Sequence, residues 1–71
     1  MSTIGDRIRE RRAALDMSQE DLARACGISG FTVSKLERGV MKNPGARLLD
    51  GVAVALGCTS SDLLHDVAEV A

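Results

Sequence analysis

The segment SQEDLARACGISGFTVSKLERG, residues 18–39, decides the fold, because it predicts two short helices joined by a tight turn. Ser18 is a residue type that caps helices, and the acidic side chains after it suit the positive end of a helix dipole. Gly27 is expected in the left-handed conformation that ends a helix, and Ser29 can cap the next one, predicted over residues 30–38. A pair of helices with this spacing predicts a helix-turn-helix.

The stretch before this segment predicts a first helix with a charge on its apolar side. At about 100° per residue, Ile4, Ile8 and Leu15 share one face, which we expect to turn toward the core. Arg12 lies only about 40° from Ile8 on the same helical wheel. A charged group in that place needs a buried partner. The other arginines of the helix are expected in solvent: Arg7, Arg9 and Arg11.

The stretch after the segment predicts two more helices. Asn43 is a capping residue type and Pro44 suits the first helical position, so a fourth helix is expected to begin there and to end at Gly57. Residues 59–62, Thr-Ser-Ser-Asp, resemble a capping box and predict a fifth helix. Apolar residues recur at helical spacing: Leu48, Leu49, Val52, Ala53 and Leu56 in the fourth helix, and Leu63, Leu64, Val67 and Val70 in the fifth.

Composition favours the same all-helical class. The 71 residues leave room for one domain, residues 1–71, so most apolar side chains must serve a single small core. Hydrophobic residues make up 45% of the chain, yet it has one Phe and neither Trp nor Tyr. Runs of β-branched and aromatic residues, which indicate strands, are missing. The composition therefore predicts an all-α fold with a core of Leu, Ile, Val, Ala and Met.

Few residues suit a metal site, a disulfide framework or catalysis. Cys26 and Cys58 lie far apart, and the one histidine, His65, has no partner at a metal-ligand spacing, so neither a metal nor a cofactor is expected. We expect two small, buried or half-buried thiols in a reducing cytoplasm. The chain lacks an evident nucleophile–base pair, so an enzyme is not expected. The longest apolar run, residues 52–56, is too short to cross a membrane, and no secretory signal is apparent.

A set of residues spread over all five predicted helices carries a resemblance to a known family. The set is Ile8-Arg9, Arg12, Ser18-Gln19-Glu20-Asp21-Leu22-Ala23, Gly27-Ile28-Ser29, Val33-Ser34-Lys35-Leu36-Glu37-Arg38-Gly39, Pro44, Ala55-Leu56-Gly57 and Asp62-Leu63-Leu64. With these residues the chain resembles the Cro and phage-repressor family of helix-turn-helix regulators, the Xre family, over residues 4–65. The resemblance implies a compact five-helix bundle of the lambda-repressor-like type. It also implies a dimeric repressor that binds a palindromic operator in double-stranded DNA, with residues 30–38 in the major groove.

The side of the third helix that points away from the core holds the predicted base-reading residues. Val33 and Leu36 set the core direction, and Phe31 lies about 170° from it. We expect Phe31 to touch a thymine methyl group; alternatively, it folds back over the second helix or packs on a partner protein. Lys35 can donate to O6 or N7 of guanine. The predicted base-reading set is Phe31, Thr32, Ser34 and Lys35.

A second set of polar residues is predicted to bind the DNA backbone. Gln19 lies at the start of the second helix, where N–H groups and the helix dipole attract a phosphate; alternatively, it is an ordinary first-turn residue. Asn43 has an equal explanation as a helix cap. The predicted set is Gln19, Ser29, Arg38, Lys42, Asn43 and Arg47.

The net charge of −1 contrasts with the basic character expected of a DNA-binding domain. The distribution of charge along the chain offers an explanation. Four cations are expected on the DNA side, and three acids lie toward the C-terminal end: Lys35, Arg38, Lys42 and Arg47 against Asp62, Asp66 and Glu69. A balanced total can therefore hide a basic face.

The family resemblance pairs Arg12 with Glu37 as a structural ion pair between the first and third helices. Glu37 lies at the edge of the buried face of its helix, about 70° from the core direction. This pair would give Arg12 the buried partner that its position requires.

The fifth helix and the tail, residues 60–71, are predicted to form a dimer contact. The apolar stripe of Leu64, Val67 and Val70 continues past the point where the core needs cover. A two-fold contact would bury it and set two recognition helices about 34 Å apart. Alternatively, the tail is frayed.

Two alternatives to a repressor stay open. In the first, the chain is the antitoxin of a toxin–antitoxin pair, with a toxin as a second partner. In the second, the same fold is a protein-interaction module, which would show no salt-dependent binding to DNA.

Overall fold

A computed structural model describes residues 3–41 and 44–65 of the chain. These residues form five α-helices and contain no strand: α1 Ile4–Ala14, α2 Gln19–Cys26, α3 Gly30–Arg38, α4 Ala46–Ala55 and α5 Ser60–His65. The predicted all-α, five-helix fold is confirmed.

Short-range hydrogen bonds fix the ends of α2 and α3 where the sequence predicted them. The Ser18 hydroxyl accepts from the Asp21 N–H at 2.9 Å, and the Asp21 carboxylate accepts from the Ser18 N–H at 3.0 Å, which completes a capping box. Gly27 and Gly39 end the two helices with φ of 72° and 75°, a left-handed conformation that favours glycine. The capping box predicted for α5 is also confirmed, between Thr59 and Asp62.

The predicted start of α4 was wrong. The helix begins at Ala46, its cap is Gly45 in an extended conformation, and Pro44 lies outside it. The first hydrogen bond of the helix runs from the Leu49 N–H to the Gly45 carbonyl at 3.0 Å. The fixed φ of proline suits extended backbone as well as a first helical turn, so a proline near a helix start does not set its register. Asn43 lies outside the described residues.

Two expectations for α1 were also wrong. Leu15, the C-cap of α1, is 51% exposed and does not join the core with Ile8. Arg7 and Arg11 are half-buried, whereas Arg9 is exposed as predicted. The guanidinium of Arg7 pairs with the Glu10 carboxylate at 2.9 Å, along the surface of the helix.

Each helix contributes one large, fully buried side chain to a common core: Ile8, Leu22, Val33, Val52 and Leu63. Around this centre α2 packs on α3 and α4, α1 packs on α3 and α5, and α4 packs on α5. These contacts hold α3 by its inner face and leave its outer face uncovered by the other described helices.

Gly5 allows α1 to lie directly against the end of α3. A Cβ atom at this position would lie 2.5 Å from the carbonyl oxygen of Glu37 and 2.6 Å from that of Leu36. Such distances are far inside van der Waals contact, so only glycine fits without a shift of one helix. The contact fixes the C-terminal end of α3.

Both cysteines are free thiols and half-buried, as the sequence predicted. The Sγ of Cys26 lies 3.7 Å from the carbonyl oxygen of Gly51 in α4, and burial raises the pKa of this thiol. Among the described residues, no helix has the length and apolar character needed to span a bilayer.

Candidate nucleic-acid interface

The turn between α2 and α3 holds the two helices at a fixed angle. The Ile28 N–H donates to the Ala23 carbonyl at 3.0 Å, just after Gly27 has reversed the chain. Ser29 then caps α3 by accepting from the Thr32 N–H at 3.1 Å. Because Leu22 and Val33 are both fully buried between the helices, α3 presents the opposite face outward.

Phe31 lies on this outward face and is 67% exposed, so the prediction that it points away from the core is confirmed. Arg38, at the end of α3, is also exposed, while Lys35 and Ser34 are half-buried. A large aromatic side chain that leaves the core of so small a protein indicates a contact surface.

Phe31 and Lys35 contact each other one helical turn apart. The Nζ of Lys35 lies 5.1 Å from the centroid of the Phe31 ring, within the range of a cation–π interaction. Two of the four candidate base-reading residues therefore form a single unit on the surface of α3.

Ser29 and Thr32 are held by one another. Their hydroxyl oxygens lie 3.0 Å apart, and the Ser29 hydroxyl also accepts the capping hydrogen bond from the Thr32 backbone. The Thr32 side chain is thus fixed at the first turn of α3, and its methyl group and the unused lone pairs of its hydroxyl are left for a further contact.

Gln19 has a role that the sequence did not predict. Its side-chain amide donates to Oε1 of Glu37 at 3.1 Å, so it joins the start of α2 to the end of α3. The first backbone hydrogen bond into α2 comes from Leu22, which donates to the Ser18 carbonyl. The N–H groups of Gln19 and Glu20 precede this bond and point out of the helix, an arrangement suited to an anion.

Arg12 and Glu37 form a nearly buried ion pair, with side chains 16% and 3% exposed. Nε of Arg12 donates to Oε2 of Glu37 at 2.7 Å, and Nη2 donates to Oε1 at 3.1 Å. Nη1 of the same guanidinium donates to the Met17 carbonyl at 2.8 Å. Burial acts to raise the pKa of Glu37, but hydrogen bonds from Arg12 and Gln19 outweigh it, and the pKa is lowered overall. Both groups are therefore charged near neutral pH.

This ion pair accounts for the one negative charge of α3. Glu37 is the only acid on α3, and Arg12 neutralises it inside the protein. The outward charges of α3 are then those of Lys35 and Arg38, and both are positive. Arg47 lies exposed in the first turn of α4. Lys42 and Asn43 lie outside the described residues.

The candidate dimer residues lie at the other end of the chain. Leu64 in α5 is 43% exposed, which leaves much of its side chain without cover from the described residues. Val67 and Val70 lie outside the described residues.

Two hydrogen bonds around the end of α3 could not be predicted from the sequence. Neither the bond from Gln19 to Glu37 nor that from Arg12 to the Met17 carbonyl has a local pattern. Gly5 had a weak local signal. A glycine within a helix lowers the stability of the helix, so its presence suggests that a neighbouring element occupies the space of a side chain.

A family model described as Helix-turn-helix (HTH_3) matches residues 8–63 of the chain. An uncharacterized transcriptional regulator in the ATPase CF(0) region of Rhodospirillum rubrum is 41% identical over 63 residues, covering 84% of this chain and 58% of that protein. The HTH-type transcriptional regulator DicA of Escherichia coli (strain K12) is 40% identical over 62 residues, covering 87% of this chain and 45% of that protein. The chain thus spans about half the length of these two curated relatives.

The match to one solved structure covers most of both chains. The crystal structure of the P22 c2 repressor with synthetic operator 9T aligns with a TM-score of 0.82 and 32% identity. The alignment covers 89% of this chain and 94% of the repressor chain.

Proposed function

We propose that this chain, which belongs to the helix-turn-helix family HTH_3, is a transcription regulator that binds double-stranded DNA in a sequence-specific manner. The observation that carries the proposal is the outward face of α3. It bears an exposed aromatic ring and two cations, and the one acid of α3, Glu37, is buried away from this face and neutralised by Arg12. No catalytic role is proposed for any residue.

In this proposal α3 enters the major groove, and its outward side chains meet the edges of the bases. Phe31 contacts the methyl group of a thymine, and Lys35 donates to guanine. Thr32 and Ser34 contact neighbouring bases, and the hydrogen bond between the hydroxyls of Thr32 and Ser29 holds the Thr32 side chain in place for this contact.

The DNA backbone is bound from both ends of the motif. The N–H groups at the start of α2, where Gln19 lies, receive one phosphate, and Ser29, the cap residue of α3, provides a further polar contact to the DNA backbone. Arg38, at the end of α3, and Arg47, in the first turn of α4, supply positive charge. Lys42 adds a further cation, and Asn43 adds an uncharged amide donor. Gln19 contributes its backbone N–H, together with the side-chain N–H and carbonyl oxygen that the bond to Glu37 does not use.

The similarity to a repressor whose structure holds an operator supports this assignment. We propose that residues 1–71 act as one DNA-binding domain, and that two copies bind a palindromic operator as a repressor. The exposed Leu64, continued by Val67 and Val70, forms the contact between the copies. Such a dimer would place the two recognition helices about one turn of DNA, or 34 Å, apart.

Selection from a random-sequence duplex pool tests the proposal. The purified chain is compared at near-physiological salt with the double variant Phe31→Ala/Lys35→Ala and with Val54→Ala. Val54 is 77% exposed on α4, so its truncation controls for the loss of an exposed apolar side chain.

A palindrome recovered by the chain and by Val54→Ala, and lost in the double variant, would support the regulator. A pool that remains random would exclude it and direct the search to a protein partner on the outward face of α3. Sedimentation with the recovered duplex tests the dimer, and a one-to-one complex that persists at high protein concentration would exclude it.

A further inference from the structure

The contact between Phe31 and Lys35 ties together two side chains that could otherwise act at separate bases. A lysine on a helix surface is a flexible point charge that can reach several base-edge acceptors. Here its ammonium is held over an aromatic ring, 5.1 Å from the centroid. The position of the charge therefore depends on Phe31.

We propose that Phe31 and Lys35 read two adjacent base pairs as one unit, a thymine by the ring and the neighbouring guanine by the ammonium. This inference rests on the proposed function and specifies what the outward face of α3 recognises.

Distance favours adjacent base pairs. Residues four apart on a helix are displaced by about 6 Å along its axis, and the two side chains converge from there to 5.1 Å. Base pairs in DNA are spaced by about 3.4 Å. The ring and the ammonium, 5.1 Å apart, can therefore reach two neighbouring base pairs if they are also offset sideways. They lie too close together to reach base pairs that are two steps apart.

Chemistry favours guanine as the neighbour. An ammonium has three N–H donors, and with one turned toward the ring, two are left. Guanine offers two acceptors in the major groove, O6 and N7, whereas adenine places an amino donor beside its N7. The remaining donors of Lys35 thus match guanine and are repelled by adenine. The apolar ring beside them matches the methyl group that thymine carries in the same groove.

Three variants separate the parts of the unit, with the duplex selected from the random pool as the probe. Phe31→Ala removes the ring, and Lys35→Met removes the charge but keeps the stem. Phe31→Leu keeps apolar bulk for the methyl group but has no aromatic face to hold the ammonium. Val54→Ala is the control, and the thermal midpoint and helical circular dichroism of each variant are compared with the parent chain.

The duplex is also made with deoxyuridine for the thymine, which removes only the methyl group, and with 7-deazaguanine for the guanine, which removes the N7 acceptor. Deoxyuridine is expected to weaken binding of the parent chain about fourfold, the effect of one buried methyl-sized group. Phe31→Leu should keep most of this dependence yet lose discrimination at the guanine, although Lys35 is intact. Phe31→Ala should lose both.

Guanine discrimination that is unchanged in Phe31→Leu and Phe31→Ala would overturn the coupling. Preferred thymine and guanine positions that are not adjacent would overturn the geometry. If the parent chain selects no sequence at all, the proposed function fails and the inference fails with it. A selected sequence without the thymine–guanine step leaves the regulator standing and excludes this inference alone.

Discussion

The guanidinium of Arg12 in α1 donates two hydrogen bonds, of 2.7 and 3.1 Å, to the carboxylate of Glu37 in α3. Gln19 donates to the same carboxylate, and Arg12 also binds the Met17 carbonyl, so one network joins α1, the turn before α2, α2 and the end of α3. The outward face of α3 keeps its orientation through this network and through the contact of Gly5 with the α3 carbonyls.

Removal of one partner of this ion pair should destabilise the fold strongly. In Glu37→Ala the guanidinium of Arg12 stays nearly buried without its counter-charge, at a cost of about 3 kcal/mol in the free energy of unfolding. Urea denaturation of Glu37→Ala, Arg12→Ala and the double variant measures the coupling. The double variant should lose much less than the sum of the single losses, because no lone charge remains. Additive losses of unfolding free energy would show that the two side chains stabilise the fold independently of each other.

The same network predicts a loss of stability in acid. The pKa of Glu37 is lowered in the folded protein from an ordinary value of 4.5, so the folded state binds this proton less readily than the unfolded chain does. Its stabilisation is therefore complete above the unfolded pKa and is lost as the pH falls through the folded pKa. Asp6 and Asp21, whose pKa values are lowered by hydrogen bonds from Arg9 and from the Ser18 backbone, act in the same direction.

Urea midpoints measured between about pH 6 and pH 3 check this dependence. The parent chain should lose stability across the range, and Glu37→Gln should show a flatter profile from a lower starting value. An equal slope in the two proteins would exclude Glu37 as a source of the acid sensitivity.

Replacement by alanine should lower the stability of the fold at Gly5 and raise it at Gly51. Within a helix, alanine normally exceeds glycine in stability by about 1 kcal/mol, and the space beside Gly51 is open, so Gly51→Ala should gain about that amount. Gly5→Ala places a Cβ against the carbonyls of Leu36 and Glu37 and should lose about 1–3 kcal/mol, as overpacked sites do. Thermal unfolding of both variants gives the comparison. A gain at Gly5 similar to that at Gly51 would contradict the close approach of α1 to α3.

The sequence predicts well where its signals are local. Ser18 and Gly27 cap the two ends of α2 through contacts within a few residues, so their residue types were sufficient to place those ends. Pro44 is also a local signal, but its fixed φ fits two backbone conformations, so it did not place the start of α4 correctly.

Contacts between distant residues set the limit of such prediction. The Gln19 amide is turned toward Glu37 by the packing of α2 on α3, and no pattern around residue 19 encodes that partner. Leu15 has the periodicity of a core residue, yet α1 ends just before it. The exposure of Phe31 was predictable because Val33 and Leu36 fix the inner face of a helix whose limits were already known.

Charge removal at Arg38 should change the salt dependence of DNA binding without changing the preferred sequence. A phosphate contact releases about one counterion, so Arg38→Gln should reduce the slope of log K against log salt by about 1 and weaken binding to all duplexes alike. Arg24→Gln is the matched control, because it also removes one positive charge, but from the last turn of α2. There Arg24 pairs with Asp21 at 3.1 Å. Phe31→Ala should behave in the reverse way, with an altered sequence preference and an unchanged slope. Fluorescence anisotropy titrations at several salt concentrations give all three results. An equal loss of slope in Arg38→Gln and Arg24→Gln would mean that Arg38 acts only through net charge and does not touch a phosphate.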